Sequence, residues 1–220
     1  MRNILFVSPH PDDETLGCGG TIFHHRKNRD NIYLLIVTNL SFDYGWSKKI
    51  IEKREKEIQK IKKFYGFKKV YHLNFPTKYL DTLPISKIIE EVSKVIKKTK
   101  SEIIYIPNKD DIHTDHQVVS RACLSSIKCF RNPSVKKVMG YEVISETNFN
   151  FSQNNFSPNV FIDISPFLKK KISAMNIYKS EIKKHPFPRS EKAIKALALL
   201  RGSQSGKNFA EAFQLYLEIL

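Results

Sequence analysis

The sequence predicts an α/β fold, a doubly wound and mainly parallel sheet with helices on both faces. Three observations predict it. Short apolar runs, Ile4 to Val7, Ile32 to Thr38 and Ile103 to Ile106, alternate with stretches of helical periodicity. The first and last of these runs are closed by proline and open into a loop that holds both histidine and aspartate. In a doubly wound sheet of strand order 3-2-1-4-5 the first and fourth strands are neighbours. Both loops would then meet where the winding reverses, the usual place for a ligand.

The first strand empties into Ser8-Pro9-His10-Pro11-Asp12-Asp13-Glu14, and a helix is expected from Thr15 to about Asn28. Gly17, Gly19 and Gly20 open this helix. Their spacing lacks both the dinucleotide fingerprint and the P-loop lysine, so close packing of helix on sheet is the reading. His24 and His25, on the later turns, read as surface residues. A second strand, Ile32 to Thr38, leads through Asp43, Tyr44, Gly45 and the lone Trp46 into a helix from Lys48 to Tyr65. Its stripe is Ile51, Ile58, Ile61 and Tyr65, and Arg54 shares that face with Glu57 as an i+3 partner.

Gly66 stops that helix and Lys69 to Asn74 reads as a third strand, with His72 either packed or facing solvent. Pro84 opens a helix whose Ile85, Ile88, Ile89, Val92, Val95 and Ile96 form one apolar side. The Ile103 strand, a helix from about Asp115 to Phe130 and a strand from Lys137 to Val143 follow. Beyond Asn148 the pattern changes. An Asn- and Ser-rich stretch runs to Pro158, then come a short strand from Val160 to Ile164 and helices near 166–182 and 189–201. Gly202-Ser203-Gln204-Ser205-Gly206 is no nucleophile elbow, because no serine is central in G-x-S-x-G and no strand precedes it. His185 reads as a loop residue.

The chemistry concentrates in the two proline-closed loops. An imidazole and a carboxylate three residues apart, on a loop stiffened by Pro9 and Pro11, can reach one divalent ion. A His/Asp donor set without thiolate suits zinc or another first-row metal, with iron or cobalt able to take the same site. Adjacent carboxylates point in different directions, so one can bind metal while the other faces the reacting water. The third ligand is sought in Asp110-Asp111-Ile112-His113-Thr114-Asp115-His116.

His10-Pro11-Asp12-Asp13-Glu14 near the start, with His113-Thr114-Asp115-His116 near the middle, resembles the zinc-dependent N-deacetylases of the PIG-L/LmbE family. The resemblance implies an LmbE-like, Rossmann-like fold and removal of acetyl groups from N-acetylated sugars. It implies Zn2+ held by His10, Asp13 and His116, with Asp12 as general base and then acid. It implies protonated His113 as electrophile, its ring oriented and its charge favoured by Asp115. It also implies a substrate contact for Arg54, since an Arg-x-x-Glu pair recurs in relatives. Thr114 stands where members often carry proline, a position that only shapes the loop. The segments around Ser180-Glu181, Pro188-Arg189-Ser190, Arg201-Gly202 and Ala210-Glu211-Ala212-Phe213 are similar to C-terminal parts of bacterial members, where they frame the substrate.

Composition sets the outer bounds. The chain has 220 residues, 41% hydrophobic and 27% charged, as in an ordinary globular protein, and no stretch reaches the length of a membrane span. No signal-peptide pattern precedes the first strand, so a cytoplasmic location is expected. Cys18, Cys123 and Cys129 form neither a disulfide framework nor a thiolate metal site. The net charge of +15 comes from lysines spread over helix faces, not from one patch interleaved with aromatics. Nucleic acid is therefore not the expected partner; a small N-acetyl amino sugar or nucleotide-sugar is. The chain is expected to be one deacetylase domain, with residues 1–147 as core and 148–220 as a substrate-framing extension. Cleavage of another amide, such as a thiol-sugar conjugate, is the alternative enzymatic reading.

Overall fold

A computed structural model describes residues 1–151 and 156–220, so residues 152–155 of the Asn- and Ser-rich stretch lie outside the described residues. Among the described residues, seven strands form one sheet: β1 (Asn3–Ser8), β2 (Asn31–Asn39), β3 (Lys69–Pro76), β4 (Ile103–Pro107), β5 (Lys137–Tyr141), β6 (Val160–Asp163) and β7 (Ala210–Glu218). Their order is β3-β2-β1-β4-β5-β7-β6. The first five strands in this order are parallel, and β7 pairs antiparallel with β5 on one side and with β6 on the other. The expected 3-2-1-4-5 arrangement is present. β7, which the sequence reading left without a strand, fills the place beside β5.

Six helices among the described residues cover the sheet: α1 (Asp13–Lys27), α2 (Lys48–Tyr65), α3 (Ile85–Thr99), α4 (Thr114–Ser126), α5 (Leu168–Met175) and α6 (Glu191–Ser205). Side chains alternate across β1, because successive strand residues face opposite ways. Ile4 and Phe6 pack with Leu16, Ile22, Ile58, Ile61 and Ile172 from α1, α2 and α5. Leu5 and Val7 pack with Ile88, Val92, Val119 and Ala122 from α3 and α4. Fully buried on both faces, β1 reads as a continuous apolar run for this reason. Among the described residues no helix is long and apolar enough to cross a membrane.

Several helix boundaries differ from expectation, three of them for a reason visible in the structure. α1 begins at Asp13, because acidic residues in a first turn are favoured by the helix dipole and Glu14 reaches back to the Asp12 N–H at 3.2 Å. α4 ends at Ser126, whose carbonyl accepts from the Asn132 side-chain amide at 2.6 Å. α5 ends at Met175, and the chain then folds back over the first loop as an irregular segment instead of continuing as helix to residue 182. The Gly202–Gly206 run is the end of α6, closed by Gly206 in the left-handed conformation at φ 67°.

The glycines of α1 pack as the sequence suggested. A Cβ on Gly17 would stand 2.2 Å from the Tyr141 ring, and one on Gly20 would stand 2.4 Å from Ile164. The expectation for His25 is overturned. It is buried, bonded to Asp30 at 2.8 Å and to the Tyr105 hydroxyl at 2.8 Å, because that side of α1 faces the sheet.

Candidate active site

Strands β1 and β4 lie side by side, Ile4 opposite Ile103 and Phe6 opposite Tyr105, so the loops at their carboxyl ends converge. His10 comes from the first loop, Asp13 from the first turn of α1, and His116 from the first turn of α4. His10 Nδ1 stands 3.3 Å from His116 Nε2. Asp13 Oδ2 stands 3.4 Å from each of these nitrogens. Donors about 2.0–2.1 Å from a tetrahedral ion stand roughly 3.3–3.4 Å from one another. The triangle therefore has the dimensions of one face of a zinc-sized coordination tetrahedron.

The outer nitrogens explain why the inner ones face each other. His10 Nε2 bonds the Asp115 carboxylate at 2.9 Å, and His116 Nδ1 bonds the Asp111 carboxylate at 2.8 Å. Each outer nitrogen donating its proton to a carboxylate leaves the neutral ring a lone pair on the inner nitrogen, aimed into the triangle. Carboxylates behind ligand histidines fix tautomer and orientation in this way. The charge balance fits a cation as well. Burial would lower the pKa of His10, yet Asp115 and Asp13 outweigh it and lift it to about 9. His116 is likewise raised against its burial, by Asp13 and Asp111. Burial opposes ionisation of Asp13, but His116 and His10 hold its carboxyl below the usual range. Three carboxylates around two imidazoles attract positive charge, as protons or as a metal ion.

The role expected for Asp115 needs correction. Its carboxylate does not hold His113; it accepts from His10 and from the backbone N–H groups of Lys78 and Leu80, at 2.7 and 3.2 Å. His113 is instead the N-cap of α4, its Nδ1 accepting the Asp115 backbone N–H at 3.1 Å. That bond leaves the ring's proton on Nε2. Burial, with His10 and His116 nearby, pushes the His113 pKa down to about 4.

Asp12 sits beside the triangle, buried, with φ at 139°. A non-glycine residue rarely adopts that region, and such strain gathers at functional positions. The backbone around it is held at both ends. Its N–H donates to Glu14, and its carbonyl accepts from Thr15 and Leu16, both at 2.9 Å. The buried Glu14 carboxylate also accepts from Ser8, Thr15 and Tyr178, which makes it the cap of the loop. Burial and the Asp13 charge push the Asp12 pKa well up, with Arg189 acting against them.

Arg54 lies in the wall of the same cavity, and its guanidinium holds the protein together there. It donates to the Pro11 carbonyl at 2.9 Å and bonds Glu181, while Glu57 stands 3.7 Å away. Glu181 also pairs with Arg189 at 3.3 Å, and Arg189 reaches Asp12 at 3.3 Å. Asp111, Glu181 and Arg189 are the site residues that sequence reasoning left without a role. An aspartate five positions before His116 was a signal for Asp111, whereas the other two were marked only as parts of segments similar to the C-terminal parts of bacterial family members. The cavity has a volume of about 430 Å³, within the range of small-molecule sites.

The chain is similar over most of its length to known proteins. The chain is 24% identical over 226 residues to the diacetylchitobiose deacetylase of Thermococcus kodakarensis, covering 97% of this chain and 83% of that one. It is 24% identical to a probable N-acetyl-alpha-D-glucosaminyl L-malate deacetylase 2 of Bacillus cereus, covering 82% and 84%. Among solved structures, the conserved protein TT1542 from Thermus thermophilus superposes with a TM-score of 0.79 at 25% identity, covering 100% and 97%. Residues 5–127, over half the chain and spanning both histidine loops, match the family described as PIG-L, GlcNAc-PI de-N-acetylase, and the chain belongs to that family.

Proposed function

We propose that this chain is a zinc-dependent N-deacetylase that hydrolyses the acetamide of an N-acetylated amino sugar, whether free, nucleotide-linked or carried on a glycan precursor. The observation that carries the reading is the 3.3–3.4 Å triangle of His10, Asp13 and His116 with the Asp12 carboxylate beside it. The relatives' deacetylase names support it. On this reading the chain acts as one domain, its C-terminal residues framing the cavity. Fe2+ or Co2+ would suit the same donors.

His10, Asp13 and His116 would hold the ion, and Asp115 and Asp111 would hold the two rings. When bound, such an ion polarises the amide carbonyl and brings the pKa of water from about 15.7 toward roughly 7. Asp12 accepts the proton of the attacking water at its carboxylate, whose pKa is raised by burial and by the Asp13 charge. The same carboxyl then delivers that proton to the departing amine nitrogen. His113, neutral and protonated at Nε2, donates a hydrogen bond to the oxyanion that forms at the carbonyl. Arg54 acts through the loop, holding Pro11 and Glu181 so that Asp12 keeps its place.

The test is metal analysis joined to acetate release from a panel of N-acetylhexosamines, their nucleotide conjugates and thiol-sugar amides. The expected result is about one metal per chain and chelator-sensitive acetate release from N-acetyl sugars. Metal-loaded protein that releases no acetate from any of them would overturn the proposal.

A further inference from the structure

The cations in the cavity wall fall into two kinds. Arg54 and Arg189 are both engaged by carboxylates. Lys53 and Lys78 line the same cavity and form no ion pair among the described residues, Lys53 acting on the Glu57 carboxylate only at longer range. The Lys78 backbone is nonetheless fixed in position. Its φ is 68°, and its backbone N–H donates at 2.7 Å to Asp115, the carboxylate that orients His10. Its ammonium lies 5.7 Å from the centre of the Trp46 ring, which also lines the cavity.

The loop before α2 and the loop before α3 meet a second time, through the rings of Tyr44 and Tyr79 at 4.9 Å. In the cavity wall itself, Trp46 offers an aromatic face that carries the Lys78 ammonium, with no carboxylate paired to it among the described residues. An ammonium over a ring has no anionic partner to cancel its field, unlike one paired with a carboxylate.

We propose that Trp46, Lys78 and Lys53 form a subsite for the group attached to the amino sugar, and that this group bears an anion, a carboxylate or a phosphate. The inference rests on the deacetylase reading above and extends it to the substrate's other half. The indole offers an apolar face for the attached group. The two ammonium heads supply charge-assisted hydrogen bonds to its anion, the strong kind. A neutral glycan could use the indole but would gain nothing from the lysines.

Trp46 is the single tryptophan of the chain, so its fluorescence reports on this wall directly. Stopped-flow titration of metal-loaded protein would compare methyl N-acetylglucosaminide, its carboxymethyl counterpart and N-acetylglucosamine 1-phosphate. We expect at least one anionic probe to bind about tenfold tighter than the neutral one at low salt, a preference that shrinks as salt screens it. In the double variant Lys53→Gln/Lys78→Gln the preference falls to about one, and the ratio of kcat/KM values follows it. The larger of the carboxylate and phosphate responses tells the two sources apart. Equal binding of all three probes, or a preference that survives in the double variant, would overturn the subsite. Fluorescence preference without acetate release from any probe would leave the subsite standing and sink the deacetylase reading instead.

Discussion

Asp115 and His10 stand 105 positions apart in the chain, and a 2.9 Å hydrogen bond joins them. The same carboxylate takes backbone N–H groups from Lys78 and Leu80. It therefore ties together the β1 loop, the start of α4 and the loop before α3. An aspartate first read as a partner of its neighbour His113 is in fact the brace of a candidate metal ligand.

Asp115→Asn should accordingly weaken metal binding. Loss of an outer-shell carboxylate costs about 10–100-fold in affinity or activity, and competitive chelator titration measures it. Asp111→Asn should act likewise through His116, to which its carboxylate is bonded at 2.8 Å. Unchanged metal affinity in both variants would separate these carboxylates from the ion.

Asp12→Asn should leave metal content near that of the parent chain and lower kcat on the order of 10²–10⁴-fold. Metal analysis and initial rates on the same preparation check both halves. A variant with full turnover would remove Asp12 from the proton path.

Lys171 is buried, and its Nζ lies 2.6 Å from Glu211 and 2.7 Å from the Leu16 carbonyl. Glu211 also accepts the N–H groups of Gly20 and Thr21, so this pair bolts β7 and α5 to α1. Lys171→Met leaves a buried carboxylate without its cation, and should cost about 3–5 kcal/mol in urea unfolding. A loss under about 1 kcal/mol would show that the two N–H bonds suffice.

His25 carries a pH dependence distant from the site. Burial lowers its pKa below 6.5, and the nearby Asp30 carboxylate offsets this only in part. The unfolded chain then binds a proton near pH 6.5 that the folded chain refuses. Stability from this group is complete above about pH 6.5 and is lost as pH falls below it, by at most about 1.4 kcal/mol per pH unit. Urea midpoints between pH 8 and 5 for the parent chain and His25→Gln check it. The variant should show the shallower fall, and identical slopes would contradict the assignment.

Much of the architecture was legible because it is written in short-range patterns. The apolar runs of β1, β2 and β4, the stripe of α3 and the glycine that closes α2 each act within a few residues. β7 was not legible. Its residues pair with β5 and β6, about 75 and 50 positions earlier, and nothing local announces that partnership. The ends of α4 and α5 escaped for a similar reason, since a side chain or a crossing segment sets them.

The site divides the same way. By itself the sequence determined which residues are candidates for the chemistry: a histidine and two aspartates after the first strand, two histidines after the fourth, and a winding that brings the two groups together. Only the tertiary structure decided which carboxylate serves which imidazole. It set Asp115 behind His10 and Asp111 behind His116, made His113 the N-cap of α4, and brought Glu181 and Arg189 from the far end of the chain to Asp12. Residue type and strand order are properties of the chain read along its length. The choice of a hydrogen-bond partner depends on ångström-scale placement of side chains from distant segments, which arises only once the sheet has assembled and the water between them has gone.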